Sequence, residues 1–231
     1  IPTSQNQLFF TTKNTYKINK TLIKSLNCSP DSFIQIALQF AFIDIFNYSP
    51  NTYESGGLVK KFYDARVENI RAGNHLLVEE FEKIFRKKSE EDNNSDKSIL
   101  LRSIINRQSS IMKRAIPGHG LDNHLTYLKR FNLKNQLPLP IILKETPKYD
   151  QFELTTSQVS KLPNNFDHEL AIMCYGPTVP ENGISCSYIV TDCYFRLCVG
   201  QFDQTGSGNV RGEKFSVKVL EYLKKMLEIL G

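Results

Sequence analysis

Apolar residues crowd one stretch of the chain and fall into periodic stripes elsewhere. From Phe33 to Phe46 they surround most of a helical wheel, which predicts a helix buried on several sides. Its start is written in Ser29-Pro30-Asp31. Ser29 serves as the cap, Pro30 brings a preset φ to the first helical position, and Asp31 faces the positive helix end. Asn47 to Pro50 breaks it. Residues 74 to 88 read as an amphipathic helix, followed by a polar loop over Ser89 to Ser95. From Ser98 to Ala115, Leu101, Ile104, Ile105, Gln108 and Met112 trace one helical face, ended by Pro117-Gly118, and a further helix is expected from about Gly120 to Asn132. Phe215, Val219, Leu223, Met226 and Leu230 recur at three- and four-residue intervals in a closing helix.

The strand signals come late. Phe152 and Leu154 alternate ahead of Thr155, Thr156 and Ser157, so a strand end delivers several hydroxyls to one neighbourhood. Alone, that run reads as ordinary β-favouring threonines. Further strands are expected over 170–175, 184–190 and 194–201, the last two as a hairpin. Helices first, strands late and a closing helix predict a layered α/β domain.

Composition narrows the function. The 231 residues, 40% apolar and 11% aromatic, suit one large domain, with no repeat or boundary. The most apolar run is too short to cross a bilayer and is interrupted by Gln35, Gln39 and Asp44, so no membrane span is expected. The net charge of +5 comes from scattered lysines without an arginine-rich arm, which argues against nucleic acid and suits a small anionic ligand better. Five cysteines without CxxC or metal-ligand spacing predict reduced thiols in a cytoplasmic protein and no metal. The chain begins at Ile1 without a methionine, which points to a fragment.

Motifs then add what composition cannot. LTTSQV (Leu154 to Val159), MCYGPTVP (Met173 to Pro180), CSPDSFIQIALQFAF (Cys28 to Phe42), YESGGLVKKF (Tyr53 to Phe62), ARVENIR (Ala65 to Arg71) and GHGLDNHLTYLK (Gly118 to Lys129) stand in the order and approximate spacing of one family. From about Tyr16 to its end the chain resembles the carboxy-terminal part of the choline/carnitine acyltransferases. The resemblance implies a chloramphenicol-acetyltransferase-like fold with a mixed sheet packed against helices. It also implies acetyl-CoA as co-substrate, choline as the alcohol, and an amino-terminal catalytic half of the same protein that precedes Ile1.

Site residues follow from the same resemblance. Lys20 and Lys24 match a lysine pair that holds the coenzyme A 3′-phosphate, Asp31 an acidic residue near the nucleotide end, and Gln158 a coenzyme A contact. Ser157 is the expected oxyanion donor, and Thr155 replaces a more usual serine. Tyr53 and Tyr175 are expected beside the trimethylammonium group, whose charge an aromatic ring suits. Met173 is expected to shorten the acyl pocket. Carnitine-specific members carry an arginine where this chain has Asn123, and threonines where it has Val67 and Asn69. The chain departs from the family's pattern at Gly56-Gly57 and over Asn182 to Tyr188.

Two function classes stay open at this level. One is the coenzyme A and choline half of an acetyltransferase, with a carnitine enzyme as its close variant. The other is a noncatalytic interaction module of the same fold, because His75, His119, His124 and His168 stand in no setting that suits the general base. Lys20 and Lys24, taken as residues, equally describe a solvated basic helix face.

Overall fold

The computed structural model describes residues 7–59, 66–86, 94–144, 151–159, 183–203 and 210–231. Its six strands are β1 (Gln7–Thr15), β2 (Thr52–Val59), β3 (Arg66–Arg71), β4 (Leu154–Gln158), β5 (Ile184–Val190) and β6 (Phe195–Asp203). They form one sheet in the order β1-β6-β5-β4-β2-β3. β4 is central and runs parallel to both neighbours, β2 and β5, whereas every other pairing is antiparallel. β5 and β6 form the expected hairpin, closed by Thr191, whose N–H donates to the Tyr194 carbonyl at 2.9 Å.

The helices are α1 (Lys20–Ser25), α2 (Pro30–Phe46), α3 (Leu77–Phe81), α4 (Asn94–Ala115), α5 (Asp122–Lys134), α6 (Ile141–Lys144) and α7 (Val210–Leu230). α2 starts as its capping residues predict: the Ser32 N–H donates to Ser29 Oγ, with Pro30 in the first turn. It ends at Asn47, whose left-handed φ of 59° returns its N–H to the Ile43 carbonyl. Residues 32–43 are all buried, because α2 is packed by α4 and α7 on its flanks and by the sheet beneath. Phe33, Phe40 and Phe42 of α2 join Phe195 of β6 and Phe215, Leu223 and Met226 of α7 in one core.

Several elements differ from expectation. The helix expected over 74–88 is a short α-helix running into a π-helical turn at Glu82–Arg86. The wider turn lets Phe81 and Phe85 both meet Phe40 and Tyr222, while Arg86 reaches Glu82, Asn47 and Asp44. β1, β2 and β3 fall where no strand is expected. β1 is an edge strand whose partner β6 lies at the other end of the chain. β2 carries Gly56-Gly57, and the pairing with β3 shifts register between Ser55 and Gly57, a one-residue bulge at the point where the sequence has two glycines. Residues 170–175, expected as a strand, lie outside the described residues, as do Met173 and Tyr175. Cys28, Cys186 and Cys198 are buried thiols and Cys193 is exposed.

Candidate functional site

β4 divides its polar side chains between two faces. Thr156 turns toward α2, where its hydroxyl is bonded by Gln35 Nε2 at 2.9 Å and donates to the Tyr53 carbonyl at 3.0 Å. Strand alternation therefore sends Thr155 and Ser157 to the opposite face. The expected cluster of three hydroxyls is thus a pair, but β5 completes it. Ser185 stands beside Thr155 and Ser187 beside Ser157 in the parallel register. Ser185 Oγ donates to the Gly200 carbonyl at 3.2 Å, whereas the buried hydroxyls of Thr155 and Ser187 have no hydrogen-bond partner among the described residues. Ser157 is half-buried at the carboxyl end of β4, with Gln158 exposed just beyond it. A hydroxyl there can donate to an oxyanion formed above the strand end. Ser185 and Ser187 escaped the sequence reading, although their alternation with Ile184, Cys186 and Tyr188 was its available signal.

Tyr53 pairs across from Thr155 and shares its face. Its ring stands edge-on to Phe152 at 5.1 Å, and its hydroxyl donates to Asn69 Oδ1 at 2.7 Å. Asn69 Nδ2 donates to Asp122 at 2.9 Å, and Arg71 Nη2 lies 2.7 Å from the other Asp122 oxygen. Arg71 also covers the Phe152 ring, its guanidinium 4.9 Å from the centroid. The chain Tyr53, Asn69, Asp122, Arg71 ties β2 and β3 to the start of α5. A cavity of about 260 Å³ adjoins it, reached by Asn69, Arg71 and Asp122 and walled by Ile70, Ile111 and Leu125.

Asn123 meets β3 by a different route. Its Nδ2 donates to the Val67 carbonyl at 2.9 Å and to Glu68 Oε2 at 3.0 Å. The other Glu68 oxygen accepts the N–H groups of Asp122 and Asn123 at 3.0 and 3.1 Å, so a carboxylate from β3 caps the positive end of α5. Gly120 makes room for it, since a Cβ there would lie 2.2 Å from Glu68 Cγ. Tyr53, Val67, Asn69 and Asn123 therefore share one corner of the sheet, with the Val67 side chain 47% exposed. Asp122 and Glu68, which hold that corner, carry no signal that separates them from surface acids in the sequence.

On the α2 side of β4 lies a second polar cluster. Tyr188 donates to Asp31 Oδ1 at 2.5 Å and receives Gln35 Nε2 at 2.9 Å, and Gln108 Nε2 of α4 donates to Glu54 Oε2 at 2.8 Å. Burial, then the adjacent Asp31, pushes the Glu54 carboxyl well above the usual carboxylate range. Burial and the same acids push the Tyr188 phenol up. Asp31 thus sits at the amino end of α2 with its side chain turned to Tyr188.

Lys20 and Lys24 occupy one face of α1, whose cap is Asn19 Oδ1, bonded by the Leu22 N–H at 2.9 Å. The Lys20 N–H donates to the Thr191 carbonyl at 2.8 Å and fixes α1 to the β5–β6 turn. The β4 and β5 carboxyl ends, the α2 amino end and α1 consequently gather at one end of the strands. His75, His119 and His124 are exposed, and His168 lies outside the described residues. Among the described residues, no three His, Cys, Asp or Glu side chains are grouped to hold a metal, and no helix is long and apolar enough to cross a membrane.

A mixed six-stranded sheet under a helical layer is the α/β architecture shared with solved structures. The epimerization domain from the third module of tyrocidine synthetase B aligns over 100% of this chain and 50% of its own, with a TM-score of 0.53 at 14% identity. The family model for choline/carnitine O-acyltransferase matches residues 3–219, and the chain belongs to that family. Choline O-acetyltransferase of Sus scrofa is 32% identical over 209 residues, which cover 90% of this chain and 31% of that protein. Carnitine O-acetyltransferase of Columba livia is 28% identical over 92% of this chain and 31% of its own. The chain spans about a third of the length of the curated relatives it matches.

The Glu68 cap on α5 yields a prediction. Glu68→Ala removes the acceptor of two helix-end N–H groups, and Gly120→Ala drives the same carboxylate away, so each should destabilise the fold by about 1–2 kcal/mol. Because both act on one contact, the double variant should cost clearly less than the sum in urea denaturation. Full additivity would show that Gly120 and Glu68 act separately.

Proposed function

We propose that this chain is the coenzyme A and alcohol-binding portion of a choline O-acetyltransferase, which transfers the acetyl group of acetyl-CoA to choline. The observation that carries the reading is Ser157 at the carboxyl end of a central parallel strand, on the same face as the Tyr53–Asn69 corner. In open α/β sheets ligands gather outside the carboxyl ends of parallel strands. Ser157 would donate to the oxyanion of the tetrahedral intermediate, with Thr155 behind it. The base that takes the choline proton would be a histidine in the part of the relatives' length that this chain does not span; His75, His119 and His124 are exposed, and His168 lies outside the described residues.

Coenzyme A would run from the thioester near Ser157 past Gln158 to α1. There the exposed Lys24 and its neighbour Lys20 meet the 3′-phosphate as charged donors. Asp31 would lie near the nucleotide end. Tyr53 would flank the trimethylammonium group together with Tyr175, and Met173 would shorten the acyl pocket.

Choline is favoured over carnitine by what the corner lacks. Asn123 is neutral and its side chain is committed to Val67 and Glu68. The guanidinium of Arg71 lies against Asp122. Among the described residues, a carnitine carboxylate reaching Arg71 would have to compete with Asp122, and the other arginine that lines the cavity, Arg114, is exposed, where an ion pair is worth little.

The complete protein tests this reading directly. It should acetylate choline well and carnitine poorly. Joining Val67→Thr, Asn69→Thr and Asn123→Arg should shift the ratio of kcat/KM toward carnitine by about ten- to a hundredfold, the worth of one charge-assisted contact. A wild-type preference for carnitine, or a ratio unmoved by the three changes, contradicts the assignment of the alcohol. Replacing Lys20 and Lys24 by alanine should weaken coenzyme A far more than dephospho-coenzyme A. Equal weakening would make the pair a solvated helix face.

A further inference from the structure

We propose that Asp31 and Glu54 hold a single proton between them and, through Tyr188, Gln35 and Thr156, form a positioning clamp that fixes Ser157 on the opposite face of β4. The role of Ser157 rests on the reading above, whereas the shared proton does not.

The donor accounting is closed. Gln35 Nε2 has two protons, and both are spent, one on Thr156 Oγ1 and one on Tyr188 Oη, each at 2.9 Å. Tyr188 then has its own proton for Asp31 Oδ1, at 2.5 Å, and Thr156 has one proton for the Tyr53 carbonyl at 3.0 Å, with Gln35 Oε1 as a second acceptor at 3.2 Å. Asp31 is thereby an acceptor from the phenol, at the positive end of a 17-residue helix. Glu54 pairs with Thr156 across the parallel strands and so shares the α2-facing side of the sheet with this cluster, close to the Asp31 carboxyl, and it accepts from Gln108 Nε2 through Oε2 at 2.8 Å. Two negative carboxylates crowded into one buried cluster repel each other, and a proton on one of them relieves that repulsion. Glu54 is that one. It is 1% exposed and faces no cation among the described residues, whereas Asp31 has the helix end and the phenol to stabilise its charge.

The position of this chain in the fold gives it consequence. It joins α2, α4, β2, β4 and β5, and it meets β4 at Thr156, one residue before Ser157. The Thr156 bond to the Tyr53 carbonyl spans β4 and β2, the two strands that carry Ser157 and the alcohol corner. No described side chain bonds the Ser157 hydroxyl, so its placement depends on its backbone. Among the described residues, the titratable groups acting on Glu54 are Asp31 and Tyr188, with the Gln108 amide from α4.

The sign of the pH effect follows. Glu54 binds its proton more tightly folded than unfolded, so the stability it lends is fully present below the ordinary carboxyl range, near pH 4.3, and is lost as pH rises through its raised value. Glutamine reproduces the protonated acid: its amide can donate to Asp31 while its carbonyl accepts from Gln108.

Two measurements on the complete protein test the clamp. In neutral solution, the infrared difference between wild type and Glu54→Gln should show the carbonyl stretch of one protonated carboxyl. Absence of that band overturns the shared proton whatever the activity. In acetyl transfer, Glu54→Gln should keep kcat within about twofold and remove the fall in stability with rising pH, whereas Glu54→Leu should lower kcat about ten- to a hundredfold, with KM for both substrates little changed. Thr156→Val should behave like Glu54→Leu, and Thr156→Ser should restore activity. A Glu54→Gln variant as impaired as Glu54→Leu, or losses confined to KM, would overturn the positioning role. A wild-type protein that transfers no acetyl group would overturn the proposed function and the positioning of Ser157 with it, and the infrared band would still decide the carboxyl pair.

Discussion

The parallel pairing of β4 with β2 on one side and β5 on the other is the constraint on which the molecule depends. Five short residues, Leu154–Gln158, are held on both edges, so every side chain on β4 is committed to one face or the other. A slip of one residue would send Thr156 to the outer face and bury Ser157 against α2. The Gln35 amide, which bonds Thr156 from the helix side, opposes such a slip. Register and chemistry are therefore one problem in this strand.

The two faces solve it differently. Beneath β4, a polar contact replaces aliphatic packing: Gln35 of α2, Gln108 of α4, the Tyr188 phenol of β5 and the Asp31 and Glu54 carboxyls are each partnered within the core. Buried groups of that kind cost stability unless each finds a partner, and they reward a single arrangement once all do. Above β4, the hydroxyls of Thr155 and Ser187 have no partner among the described residues, and Ser157 lies partly open. Hydroxyls left without a partner on two adjacent strands, β4 and β5, are suited to meet charge that appears only during a reaction.

What the sequence reveals of this depends on whether the determinant is local. Ser29-Pro30-Asp31 announces α2 because a cap is made by neighbouring residues, and the apolar stripe of α7 announces a helix because one face repeats. β1, β2 and β3 are hidden for the opposite reason. β1 gains its identity from a partner some 190 positions away, and β2 is disguised by the glycines of its bulge. The corner residues Tyr53, Val67, Asn69 and Asn123 could be named from motifs, and the fold brings them together. The residues that hold the corner could not. Glu68 and Asp122 look like surface acids until β3 and α5 meet, and Glu54 looks like one until α2 and α4 cover it.

The central claim is that the Ser157 hydroxyl stabilises the oxyanion of acetyl transfer. Steady-state kinetics of Ser157→Ala and Ser157→Thr in the complete protein, with acetyl-CoA and choline, would test it most directly. The account predicts that alanine lowers kcat by about a hundred- to a thousandfold, with little change in KM, while threonine retains a measurable part of the rate. An alanine variant with unchanged kcat, or one impaired only in KM, would contradict it.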